Sequence, residues 1–111
     1  MIRTFVEMTE FRKRADSIDV DLARQIQNSL LKRIDGGDVI RGTGGIRKQR
    51  FADAGRNKGK RGGLRFLYLD FPHVEKTYLL YLYGKIEKDD ISQDEKKQLR
   101  SLVDVLKREA R

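Results

Sequence analysis

The chain has no cysteine, no tryptophan, one histidine and one proline. Each scarcity removes a kind of chemistry. Without cysteine there is no disulfide, no thiolate nucleophile and no cysteine-ligated zinc. With His73 as the sole histidine, paired-histidine metal sites and His–His acid–base pairs are excluded as well. No apolar run approaches the roughly 20 residues needed to cross a bilayer. The opening Met1-Ile-Arg-Thr-Phe-Val6 lacks a signal-peptide pattern, so a cytoplasmic location is expected. No metal and no cofactor are expected.

Charge, in contrast, is plentiful. Charged residues make up 38% of the chain, as many as the hydrophobic ones, yet the apolar residues are periodic, which favours a folded domain over disorder. At 111 residues one domain spanning 1–111 is expected. The net charge of +8 is concentrated. Between Arg41 and Arg65 stand nine basic residues (Arg41, Arg47, Lys48, Arg50, Arg56, Lys58, Lys60, Arg61, Arg65) and one acid, Asp53, while the rest of the chain balances. Seven of the ten glycines fall in the same stretch. A cationic segment on a glycine-rich backbone suits the gripping of phosphates, and the charge points to an acidic partner: nucleic acid, an acidic protein or an anionic membrane.

Residues 2–7 read as a strand. Thr9 is placed to cap a short helix over about residues 10–17. A second helix is expected over about 20–35, with Leu22, Ile26, Leu30 and Ile34 at four-residue steps, stopped by Gly36-Gly37. A short strand over 38–41 precedes the turn Gly42-Thr-Gly-Gly45. Residues 46–52 read as a strand, 53–63 as a basic loop, and 64–70 with 77–83 as the strongest strands, forming a hairpin. Ser92-Gln-Asp-Glu95 is a capping box before a helix that aligns Leu99, Leu102, Val103 and Leu106. The class is α+β: an N-terminal strand, two helices, three to four further antiparallel strands and a C-terminal helix.

Strand alternation divides the basic segment. Lys48 and Arg50 share one face of their strand; Arg47, Gln49 and Phe51 share the other. Arg65, on the next strong strand, is expected to join Lys48 and Arg50 at one phosphate, and the glycines let the backbone approach it. Arg47, Arg56, Lys58, Lys60 and Arg61 are expected to bind the phosphates of a nucleic acid. Tyr81 and Tyr83 fall on one face of the hairpin's second strand; Tyr83 is the candidate for stacking on a base, against the commoner role of a tyrosine at a core edge. His73 reads as a surface turn residue.

These residues resemble the RelE/ParE superfamily of toxins, and the HigB-type branch most. The resemblance rests on Gly42-Thr-Gly-Gly-Ile-Arg-Lys-Gln-Arg50, on Lys58-Gly-Lys-Arg-Gly-Gly-Leu-Arg65 with Tyr68, and on Tyr78-Leu-Leu-Tyr-Leu-Tyr-Gly-Lys85-Ile-Glu-Lys88. It implies a RelE-like fold and a ribosome-dependent, metal-independent endoribonuclease acting on mRNA. It also implies a cognate antitoxin, of a helix-turn-helix, HigA-like kind, through which operator DNA is bound. By position, Lys48 and Arg50 fall on the strand that contacts the mRNA backbone in RelE-like toxins, and Arg65 on the arginine at the scissile phosphate. The pattern departs at Ile86, where RelE has an arginine, and at Ser92, where it has a tyrosine. Lys85 and Lys88 are the cations available there and complete the catalytic set. Crowded cations disfavour one another's charged forms, and on that ground Lys48 is the expected general base.

Two other functions share the composition: a ParE-like toxin directed at DNA gyrase, and a nucleic-acid-binding module without catalysis. An anionic membrane surface fits less well, because the charges lie on strands and a loop, not on an amphipathic helix.

Overall fold

The computed structural model describes residues 3–51, 63–84 and 90–110. Among them, five strands form one mixed sheet in the order β1-β5-β4-β3-β2: β1 (Thr4–Glu7), β2 (Asp38–Val39), β3 (Arg47–Arg50), β4 (Leu64–Phe71) and β5 (Lys76–Gly84). Helices α1 (Thr9–Ile18) and α2 (Leu22–Lys32) follow β1, and α3 (Gln93–Glu109) closes the chain. β1 runs parallel to β5, while β2 to β5 are successively antiparallel. The α+β class and element order expected from the sequence are those observed.

β4 and β5 are buried on both faces, as their long apolar runs require. One face carries Phe51, Leu64, Phe66, Tyr68, Leu79 and Leu82 against Phe11, Ala15, Leu22, Ile26 and Leu30 of α1 and α2. The other carries Leu67, Leu69, Tyr78, Leu80 and Tyr83 against Val103, Leu106 and Ala110 of α3. A bulge in β5 opposite Leu67/Tyr68 shifts the register, so Leu67 faces Tyr81 and Tyr68 faces Leu79. Strict alternation would put Tyr78 and Tyr83 on opposite faces; the extra residue brings both to the α3 side. At the far end of β4, Arg3 pairs with Asp70, which also accepts the Thr77 hydroxyl at 2.8 Å.

The local signals hold with two corrections. Ser92 caps α3, accepting from the Glu95 N–H at 3.1 Å while the Glu95 carboxylate accepts from the Ser92 N–H at 2.9 Å. Thr9, however, does not cap α1; it is the first helical residue, behind Met8, which has no side-chain cap bond. α2 ends at Lys32, short of residue 35, because the backbone beyond it is taken by the sheet. The Ile34 carbonyl accepts the Tyr68 hydroxyl at 2.8 Å, and the Asp35 and Gly37 carbonyls accept Arg47 Nη1 at 3.2 and 2.7 Å.

Tyr68 is the centre of that junction. Its oxygen also accepts from the Gly37 N–H at 3.2 Å and from Gln49 Nε2 at 3.0 Å. Gly37 must be glycine here, since a Cβ would stand 2.9 Å from the Lys48 carbonyl and 3.0 Å from the Tyr68 hydroxyl. Burial pushes the Tyr68 phenol above its ordinary value, outweighing the opposing Gly37 and Gln49 bonds, so the hydroxyl remains a donor to Ile34. Tyr68→Phe strands the buried Gly37 N–H and the Ile34 carbonyl, and urea denaturation should show a loss of about 1–3 kcal/mol.

Candidate nucleic-acid interface

Antiparallel register decides which cations meet. Arg50 lies directly opposite Arg65, and Lys48 opposite Leu67, so Lys48, Arg50 and Arg65 share the α3-side face of two adjacent strands. Arg50 is exposed and makes no hydrogen bond or ion pair with the described residues. Arg65 is half-buried, with Nη1 donating to the Leu64 carbonyl at 3.3 Å. Three cations thus share one face at one end of the β3–β4 pair.

Lys48 has company that its sequence neighbourhood does not disclose. Its Nζ stands 3.5 Å from Asp90 Oδ1, and Asp38 on β2 is its cross-strand partner. The Ile91 N–H, bonded at 2.8 Å, together with Lys48 and Lys96, holds the Asp90 carboxyl below its ordinary value against a desolvation cost. Asp90 is distant from Lys48 in the chain, so no local pattern could have paired them.

Two expected RNA contacts are placed elsewhere. Arg47 points to the α1/α2 side, where its guanidinium ties the α2–β2 connection to the sheet. The two-residue period of a strand forces this separation from Lys48 and Arg50. Tyr83 is 1% exposed, packed in the α3-side core beside Tyr81 with ring centroids 5.8 Å apart. Its ring is a core element, not an open platform for a base. Arg56, Lys58, Lys60, Arg61, Lys85 and Lys88 lie outside the described residues. Ser92, standing where RelE has a tyrosine, spends its hydroxyl on the α3 cap. His73 is exposed, as expected, and its Nε2 lies 2.8 Å from the Ala110 carbonyl at the end of α3.

A five-stranded mixed sheet, two helices on one face, one on the other, and a cationic strand pair at the rim define a small α+β fold with a cationic face. The family described as "RelE toxin of RelE / RelB toxin-antitoxin system" matches residues 3–110. The chain belongs to this family, and is therefore a toxin of a toxin–antitoxin pair with a cognate antitoxin as its partner. No helix among the described residues is long and apolar enough to cross a membrane.

The depressed Asp90 carboxyl sets a pH dependence. A group whose folded value lies below its unfolded one stabilises the fold above the unfolded value, here the ordinary 3.8, and loses that contribution as pH falls through the folded value. The pH-dependent part of the stability difference between the native chain and Asp90→Asn should therefore be fully present well above the ordinary 3.8, decline as pH falls below that value, and be gone only below the lower folded value. Denaturation curves across that range measure it, and a carboxyl NMR titration gives the Asp90 midpoint directly.

Proposed function

We propose that this toxin is a ribosome-dependent, metal-independent endoribonuclease of the HigB type, acting in the cytoplasm on mRNA and restrained by a HigA-like, helix-turn-helix antitoxin. The observation that carries the reading is the convergence of Arg50 and Arg65 as cross-strand partners, with Lys48 two residues along the same face. Cleavage of RNA by internal attack needs a proton taken from the 2′-hydroxyl, charge stabilised on the phosphorane, and a proton delivered to the leaving 5′-oxygen. Arg65 and Arg50 supply fixed positive charge at the phosphate, the largest single catalytic contribution available to such a site. Lys48 is the group assigned to accept the 2′-hydroxyl proton. Asp90, 3.5 Å from Lys48 Nζ in the free protein, must give way to the entering RNA, and the Lys48 amine that takes the 2′-hydroxyl proton has first released its own proton to solvent. Lys85 or Lys88 is assigned the protonation of the leaving oxygen, giving a 2′,3′-cyclic phosphate product.

Arg65→Ala should reduce mRNA cleavage by about a hundredfold or more, the usual cost of removing one preorganised charge donor. Primer extension on translated mRNA after brief induction reads it as the loss of new 5′ ends. Full cleavage by the variant would place the site elsewhere. Intact mRNA with DNA damage from the unaltered toxin would instead make it a ParE-like gyrase poison.

A further inference from the structure

A second cationic site lies outside the β3–β4 cluster. The first half of α3 presents Gln93, Lys96, Lys97, Arg100 and Ser101 along one stripe, opposite the apolar stripe that packs on the sheet. Facing the stripe is the β2–β3 turn, which brings Arg41 and Gly42, and the two walls enclose a groove of about 510 Å³. The turn is held in place. Thr43 is buried, its hydroxyl donating to the Ile40 carbonyl at 2.7 Å and accepting from the Ile46 N–H at 3.2 Å. Gly44 lies against α3 so closely that a Cβ would stand 3.1 Å from Val103 Cγ1. The width of the groove is thus set by core packing.

Its charge is largely uncompensated. Arg100 pairs with Asp104 at 3.5 Å, but Arg41, Lys96 and Lys97 have no ion pair with any described residue. Gly42, at φ +84° with nothing within 4 Å of a notional Cβ, leaves its backbone open to a ligand. The groove also adjoins the first site: Asp90 pairs with Lys48 on one side and feels the charge of Lys96 on the other.

We propose that this groove binds the phosphodiester backbone of the RNA strand whose neighbouring phosphate sits at Lys48, Arg50 and Arg65. This rests on the reading of RNA as the substrate. Arg41, Lys96, Lys97 and Arg100 contact phosphates and not bases, so they add affinity without sequence preference. Asp90, between the two sites, is a carboxylate the strand must pass, and its repulsion opposes binding to the free toxin.

The test is fluorescence anisotropy of a labelled single-stranded oligoribonucleotide with the purified full chain, across a salt series. Lys96→Gln/Lys97→Gln/Arg100→Gln should weaken binding by about tenfold or more at low salt and reduce the log–log salt slope by about 0.7 for each phosphate no longer neutralised. Arg41→Gln, from the opposite wall, should act in the same direction, and Asp90→Asn should tighten binding. A charge-matched control on α1 and α2, Lys13→Gln/Arg24→Gln/Lys32→Gln, should change neither affinity nor slope. The proposal is overturned if the groove triple binds like the control, or if both triples weaken binding equally, which would make the effect one of net charge. Failure of the ribonuclease reading is separate: weaker oligonucleotide binding in the groove triple, with no new 5′ ends from the native toxin, keeps the groove and removes the cleavage.

Discussion

The β4–β5 pair, buried on both faces, is the constraint on which the remaining structure depends. Two apolar strands joined by a short turn hide their side chains only if helices cover both sides, and α1 with α2 on one face and α3 on the other meet that demand. Along β4 between Leu64 and Phe71 only Arg65 and Asp70 escape full burial. Asp70 is neutralised by Arg3 on the α1/α2 side. Arg65 is left at the other end and on the other face, beside a strand that carries Arg50 and Lys48. The cationic cluster stands at this end of the β3–β4 pair, with Arg65 directly across from the buried Tyr83 ring.

That origin accounts for the division of labour within the basic segment. Alternating residues of β3 have two separate tasks. Arg47 and Gln49 secure the α2–β2 connection through backbone carbonyls and Tyr68, so the strand is fixed in height and twist. Lys48 and Arg50, on the reverse side, are then presented at a defined spacing to whatever approaches the rim. Preorganisation of this kind is what makes charge effective at a reacting phosphate, because the protein does not reorganise as charge develops. The Asp90 carboxylate tempers it by giving Lys48 a counter-ion in the free protein.

The acidic and basic parts of α3 belong to the same logic. Its first turn holds Asp94 and Glu95, favourable at a helix N-terminus and part of the capping box. The cations Lys96, Lys97 and Arg100 follow on one stripe, while Val103 and Leu106 anchor the helix to the sheet. One helix thereby closes a core, seats the β2–β3 turn through Val103, and presents charge next to the rim site.

Much of this was legible in the chain itself. The apolar runs of β4 and β5, the four-residue steps of α2 and the Ser92–Glu95 box are local signals, and each produced the element it announced. Alternation alone placed Lys48 with Arg50 and set Arg47 apart, since the period of a strand is a local property. The resemblance to RelE-like toxins likewise stood on local motifs. What required the tertiary structure is whatever joins distant segments. Register made Arg50 and Arg65 partners, and the β5 bulge sent Tyr83 into the core instead of toward a ligand. Packing ended α2 early, by giving the carbonyls beyond it to Tyr68 and Arg47, and brought Asp90 to Lys48. Periodicity encodes which face a residue takes within its own element; only the close packing of elements against one another decides what that face meets.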